Sequence, residues 1–161
     1  MEFYQSKFFV DIDSNTLFYF PVPKNKDYYS FIKDKIQEGF RQVIITSDIM
    51  IEYLVFAFSK RKASLVEVEL LEDDPDYQNE INNDISAVNG NRDLFVNLVE
   101  ELKYLSDEKT AEIKLIKIKY RENSKPVVLS ISINGLITHS SNEESIKGIN
   151  DLKKIISESL L

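Results

Sequence analysis

Three apolar, β-branched segments follow one another between Ala111 and His139, and the turns between them are too short to hold a crossover. Val127, Leu129, Ile131 and Ile133 alternate with Val128, Ser130 and Ser132, the period of a strand with one buried face. Glu122-Asn123-Ser124-Lys125 supplies one turn, and Asn134-Gly135 reads as a type I′ hairpin before a short strand over 136–139. Strands joined this way must run antiparallel. Ala111 to Tyr120 changes phase: Ile113 and Leu115 share one side, Ile116, Ile118 and Tyr120 the other, which predicts a bulge near 115–116 or burial on both faces at one end.

The N-terminal region repeats the theme. Residues 7–12 and 17–20 flank Asp13-Ser14-Asn15-Thr16 and read as a hairpin, ended by Pro21 and Pro23. Asp27 is a suitable N-cap for a helix over 28–38 with Tyr28, Ile32, Ile36 and Phe40 on one side and Gly39 at its C-terminal exit. Arg41 to Thr46 holds Val43-Ile44-Ile45 and predicts a short buried strand. Ile49 to Phe58 is apolar apart from Glu52, so periodicity cannot separate strand from buried helix. Propensity favours a strand paired in a hairpin with 65–71, with Lys60-Arg61-Lys62 as a solvated turn. In 65–71, Val66, Val68 and Leu70 are expected inward and Glu67 and Glu69 outward.

Asp74-Pro75 reads as N-cap and first residue of a helix with the stripe Tyr77, Ile81, Ile85, Val88. Asn89-Gly90-Asn91 breaks the chain before a second helix faced by Leu94, Phe95, Leu98, Val99, Leu102 and Leu105. Ser141-Asn142-Glu143-Glu144 resembles a capping box for a last helix striped by Ile146, Ile149, Leu152, Ile156 and Leu160. The expected architecture is α+β: a largely antiparallel mixed sheet built from hairpins and packed by about four helices. It forms a single domain over 1–161, with a possible two-lobe division near 89–91.

Composition narrows the chemistry. The 161 residues contain no cysteine and one histidine, His139, so disulfides, thiol nucleophiles, thiolate zinc sites and His-pair metal sites are excluded. No apolar run approaches the ~18 residues of a membrane span. The first residues lack the marks of a signal peptide, so a cytoplasmic chain without cofactor or metal is expected.

The net charge is −7, and its placement is uneven. Residues 63–91 carry Glu67, Glu69, Glu72, Asp73, Asp74, Asp76, Glu80 and Asp84 and no Lys or Arg; the remainder sums to +1. Glu72-Asp73-Asp74-Pro75-Asp76 lacks the ligand spacing of an EF-hand loop. A segregated acidic surface can attract a protein partner with a basic surface, whereas direct nucleic-acid binding wants the opposite sign. Lys114, Lys117, Lys119, Arg121 and Lys125 form a basic strand region, read as protection of an edge strand. The aromatic group Phe8, Phe9, Phe18, Tyr19, Phe20, Tyr28 and Tyr29 reads as core.

Three catalytic patterns compete with that reading. Asp11-Ile12-Asp13-Ser14-Asn15-Thr16 after an apolar strand resembles the first motif of haloacid dehalogenase-like phosphatases. The resemblance implies Asp11 as phosphoryl nucleophile, Asp13 as acid/base, Thr46-Ser47 as phosphate-binding and Asp73-Asp74 as the magnesium pair. Asn15 is extra within the motif, no Gly follows Asp13, and the hairpins after residue 49 do not suit that family's parallel sheet. Glu112-Ile113-Lys114, with Asp107 upstream, is similar to the Glu-x-Lys of restriction-type nucleases. His139 beside Ser140 could form a Ser–His pair, but no Gly-x-Ser-x-Gly elbow exists.

The sequence therefore points to a non-catalytic macromolecule-binding protein, a regulator, inhibitor or accessory subunit of bacterial or phage type. Its contact surface would be the acidic region around 67–84. A Mg²⁺-dependent phosphatase using Asp11 and Asp13 is one alternative, and an assembly subunit of a homo-oligomer is another.

Overall fold

The computed structural model describes residues 2–71, 75–108, 111–140 and 143–160. In chain order the elements are β1 (Phe3–Asp11), β2 (Leu17–Pro21), α1 (Tyr28–Gln37), β3 (Phe40–Gln42), α2 (Ser47–Lys60), β4 (Ser64–Leu70), α3 (Pro75–Val88), α4 (Arg92–Asp107), β5 (Ile113–Glu122), β6 (Lys125–Ser132), β7 (Leu136–Ser140) and α5 (Glu143–Ser159). The strands form a seven-stranded sheet in the order β2-β1-β7-β6-β5-β4, with β3 also paired to β1. Every pairing is antiparallel. This is the α+β architecture the hairpins require, with five helices rather than four among the described residues.

The additional helix is α2, where propensity favoured a strand. Thr46 caps it by accepting the Ile49 N–H at 3.3 Å. Ile49, Met50, Ile51, Tyr53, Leu54 and Ala57 are all buried, because α2 lies between α4, α5 and β5. Its exposed face is only the narrow line Asp48, Glu52, Val55 and Ser59, interrupted by an apolar residue, so the helical period is hard to read in the sequence. Arg61 at its end is no solvated turn. It pairs with Asp151 at 2.9 Å and Glu122 at 3.3 Å, joining α2, α5 and the end of β5.

Other local readings shift by a residue or two. The short strand after Gly39 is 40–42 rather than 43–45, and Ile44 is exposed while Val43 and Ile45 point into the core. In β4 the register slips at Val66, so Leu65 faces inward and Val66 outward. A second slip places Lys114, not the 115–116 step, as the extra residue of β5, which lets Ile113, Ile116 and Ile118 share the core side. The type I′ geometry belongs to Asn123 and Ser124, both at positive φ. At the β6–β7 connection only Gly135 is left-handed, and its N–H bonds back to the Ser132 carbonyl at 3.0 Å. The capping box at 141–142 lies outside the described residues.

One side of the sheet carries Phe8, Val10, Ile116, Ile118, Leu129, Ile131 and Ile137 against α2 and α5, with α3 beside β4 and α4 packed on α2 and α3. Gly148 is required where α5 crosses the sheet: a Cβ there would sit 2.5 Å from the Leu129 Cδ1 and the Tyr120 hydroxyl. The opposite side is covered only at its β1–β2–β3 end. There Phe9, Phe31 and Ile32 form a small aromatic core with Phe20, Tyr28 and Phe40 beneath α1.

Candidate functional site

The acidic stretch is divided by the fold. Glu67 and Glu69 project from β4, Glu67 directly opposite Lys117 and Glu69 3.2 Å from the Lys114 ammonium. Glu72, Asp73 and Asp74 lie outside the described residues. Asp76 sits in the first turn of α3, and Glu80 and Asp84 follow one helical turn apart. These last two face Glu101 on α4. Burial first, then the charges of Glu80 and Asp84, raise the Glu101 carboxyl above the ordinary glutamate range, and it lies within hydrogen-bond reach of both.

The unit of negative charge is therefore the α3–α4 hairpin rather than residues 63–91. Residues 75–108 hold eight acids against Arg92 and Lys103, a net −6, so they carry nearly all of the chain's charge. Glu80, Asp84, Glu100 and Glu101 have no basic partner among the described residues. Between the two helices runs a groove of about 220 Å³, walled by Ala87, Val88, Leu94 and Leu98 and rimmed by Asp84, Asn97 and Glu101. Aliphatic walls with carboxylates at the rim suit the stem and head of a lysine or arginine side chain. Glu101 escaped the sequence reading because it lies beyond the base-free window; treating the two consecutive helices as one antiparallel pair would have found it.

The two helices are also fastened to the sheet edge. Gln78 accepts from the Leu70 N–H at 2.9 Å and donates to the Val68 carbonyl at 2.8 Å. Asn89 does the same for both backbone groups of Leu65, at 2.9 Å each. Side-chain amides thus take the place of a further strand along β4. A wider groove of about 560 Å³ follows this edge, lined by Glu67, Glu69, Gln78, Asn79, Asn82 and Lys114.

The phosphatase-like residues are engaged locally. The Asp11 carboxylate accepts the Asp13 N–H at 2.9 Å and the Ser14 N–H at 3.3 Å, closing the β1–β2 turn. Asp13 is exposed in that turn, and Thr46 is the cap of α2. Asp11 meets Asp13 only through that backbone N–H, and neither carboxylate is bonded to Thr46. The sheet that carries Asp11 is antiparallel, not the parallel one the resemblance implies. Glu112 lies exposed just before β5, and its carbonyl accepts the Leu71 N–H at 2.7 Å. No group of three or more acidic or histidine side chains among the described residues is arranged to hold a metal ion.

His139 does meet serine hydroxyls, but not that of Ser140, its neighbour in sequence. Ser6 on β1 stands 3.2 Å from its Nε2, while Nδ1 faces the Ser140 carbonyl at 3.1 Å and the Ser145 hydroxyl at 3.3 Å. Burial lowers the imidazole pKa. Ser6 and Ser145 are themselves buried. The arrangement joins β1, β7 and α5.

The basic strand is not an edge. β5 lies between β6 and β4, and Lys117, Lys119 and Arg121 rise from the side of the sheet left open by the helices. The register aligns Gln5, Thr138, Ser130, Lys117 and Glu67 in one row across that surface, with Val128, Lys119 and Ser64 in the next. At the covered end Lys7, unnoticed in the sequence, is fully buried. Its ammonium donates to the Asn134 carbonyl and lies 5.8 Å from the Phe9 ring. Its position two residues before Phe9 in an apolar strand was the available signal.

Comparison with known proteins finds no matching family model, no similar curated protein and no similar solved structure. No helix among the described residues is long and apolar enough to cross a membrane.

Proposed function

We propose that this chain acts by binding another macromolecule, and that the α3–α4 hairpin is the surface that meets a basic partner. The observation that carries the reading is the concentration of net −6 on residues 75–108, with Glu80, Asp84 and Glu101 crowded together and lacking a base. Crowded carboxylates repel one another in the free protein. An incoming ammonium or guanidinium removes that repulsion, so association gains what folding forfeited. The field also speeds encounter with a basic partner and weakens with salt. Regulator, inhibitor and accessory subunit are all compatible roles for such a surface.

The test is a titration of the isotopically labelled protein with a lysine-rich helical peptide, followed by amide chemical shifts. Shifts should cluster on α3, α4 and the groove between them. The variant Glu80→Lys/Glu101→Lys should lose the interaction while keeping its circular dichroism spectrum. Shifts spread evenly over the surface, or a variant that binds as well as the parent, would remove the hairpin from the account.

A further inference from the structure

We propose that the open side of the sheet receives the α3–α4 hairpin of a second copy of this chain, so that the protein self-associates head to tail. The inference rests on the hairpin being the docking element, as proposed above, and adds the identity of one partner.

The argument begins with what lies uncovered. Leu115, Lys117, Val128, Ser130, Ser132, Leu136 and Thr138 are half-exposed, whereas their neighbours Ile116, Ile118, Leu129, Ile131 and Ile137 are buried on the other side. The helix on the open side, α1, stays at the β3 end. Polar and aliphatic residues mix on this floor, and its charges are uneven. Glu67 and Glu69 answer Lys117 and Lys114. Lys119 and Arg121 remain without a carboxylate among the described residues, with Lys125 beyond the turn and 3.8 Å from Glu144. The surface is therefore basic along β5.

Its complement exists in the same chain but out of its own reach. Helix α3 sits beside β4, α4 packs against α3 and α2, and α2 packs on the buried side of β5. The hairpin cannot turn over to cover its own open side, so only another copy can supply it. Besides its carboxylates, α4 displays Leu94, Val96 and Tyr104, all at least 40% exposed, which can meet Leu115, Val128 and Leu136. Two open sides placed face to face would set Lys119 and Arg121 against their own kind, a like-charge penalty that the head-to-tail arrangement avoids. Because the two surfaces differ, the contact is heterologous. It adds copies in one direction until the rotation closes a ring or extends a chain.

Sedimentation velocity at about 0.01 M and about 1 M salt, where the Debye length is roughly 30 and 3 Å, tests the inference. The parent should sediment as larger, concentration-dependent species at low salt and as monomer at high salt. Lys119→Glu/Arg121→Glu and Glu80→Lys/Glu100→Lys change exposed residues only, and each should remain monomeric alone at low salt. Mixed together, the two variants present opposite charges again and should re-associate. A parent that is monomeric at low salt, or variants that associate as it does, would overturn the inference. If that happens while the basic peptide still maps to α3–α4, the hairpin reading stands without self-association; if the peptide also fails to map there, both fall.

Discussion

Lys7 offers the sharpest quantitative test of the fold. Its side chain is fully buried beside Phe9 and Tyr28, with the Asn134 carbonyl as its hydrogen-bond partner. Burial depresses its pKa from 10.5 to about 8. That difference corresponds to roughly 3 kcal/mol of penalty for keeping the charged form folded. Below pH 8 both folded and unfolded chains are protonated there, and the full penalty acts. Between pH 8 and 10.5 the unfolded chain holds the proton that the folded chain has released, so stability rises with pH. The expected gain from pH 7 to pH 9.5 is about 2 kcal/mol. Measurement should stop near pH 9.5, because the phenols of Tyr53 and Tyr120 are pushed up by burial, the latter to about 12. Those groups make stability fall once unfolded tyrosine ionises near pH 10. The variant Lys7→Met removes the charge and leaves the Asn134 carbonyl unmatched, which costs about 1–3 kcal/mol against the gain. The pH dependence is therefore the informative quantity. Urea unfolding should show a rise for the parent and a flat profile for Lys7→Met over the same range. Parallel profiles would refute the burial of that ammonium.

Three further outcomes follow from the geometry. Gly148→Ala should destabilise by about 1–3 kcal/mol in thermal or urea unfolding, although alanine is the better helix former by about 1 kcal/mol, because the new methyl meets Leu129 and Tyr120. Gln78→Ala and Asn89→Ala should each cost about 1–2 kcal/mol and, combined, expose the β4 edge, raising thioflavin-reactive aggregation on mild heating. Glu101→Gln should stabilise the protein at neutral pH. The parent's raised carboxyl pKa makes stability fall as pH climbs from the ordinary glutamate value through the folded one, and the advantage of the variant should vanish below about pH 4.

The hairpins were legible because their information is local. Alternation in 127–133 and turn residues at 13–16 and 122–125 fix antiparallel pairing without reference to anything distant. Both ends of α1 were legible for the same reason, through Asp27 and Gly39, as was the break before α4 at Asn89-Gly90-Asn91. α2 was not, since its apolar surround reflects three neighbours that only the tertiary fold brings together. The phase change in 111–120 announced the slip in β5 to within a residue or two, whereas the one at Val66 was hidden because a bulge is decided by both strands at once. The acidic surface was half legible. Glu80 and Asp84 were singled out, but their companion Glu101 belongs to another helix, and the lysines that answer Glu67 and Glu69 arrive on β5. The phosphatase-like spacing at Asp11 and Asp13 carried no information about the pairing direction of the sheet around it.

The position of β1 has a consequence for how the chain reaches this state. Its flank beside β2 can close at once, within one hairpin, and Phe9–Asp11 of the other flank can take β3 soon after, but Phe3–Lys7 wait for β7, and the Ser6–His139 contact spans 133 positions. Loop closure on that scale must precede the contacts that reward it, so acquisition of native structure should be slow beside that of a helical protein of equal size. Until then the stretch Phe3–Lys7 presents a bare ladder to whatever is nearby, and emerging chains at high concentration would compete with their own distant strand for it.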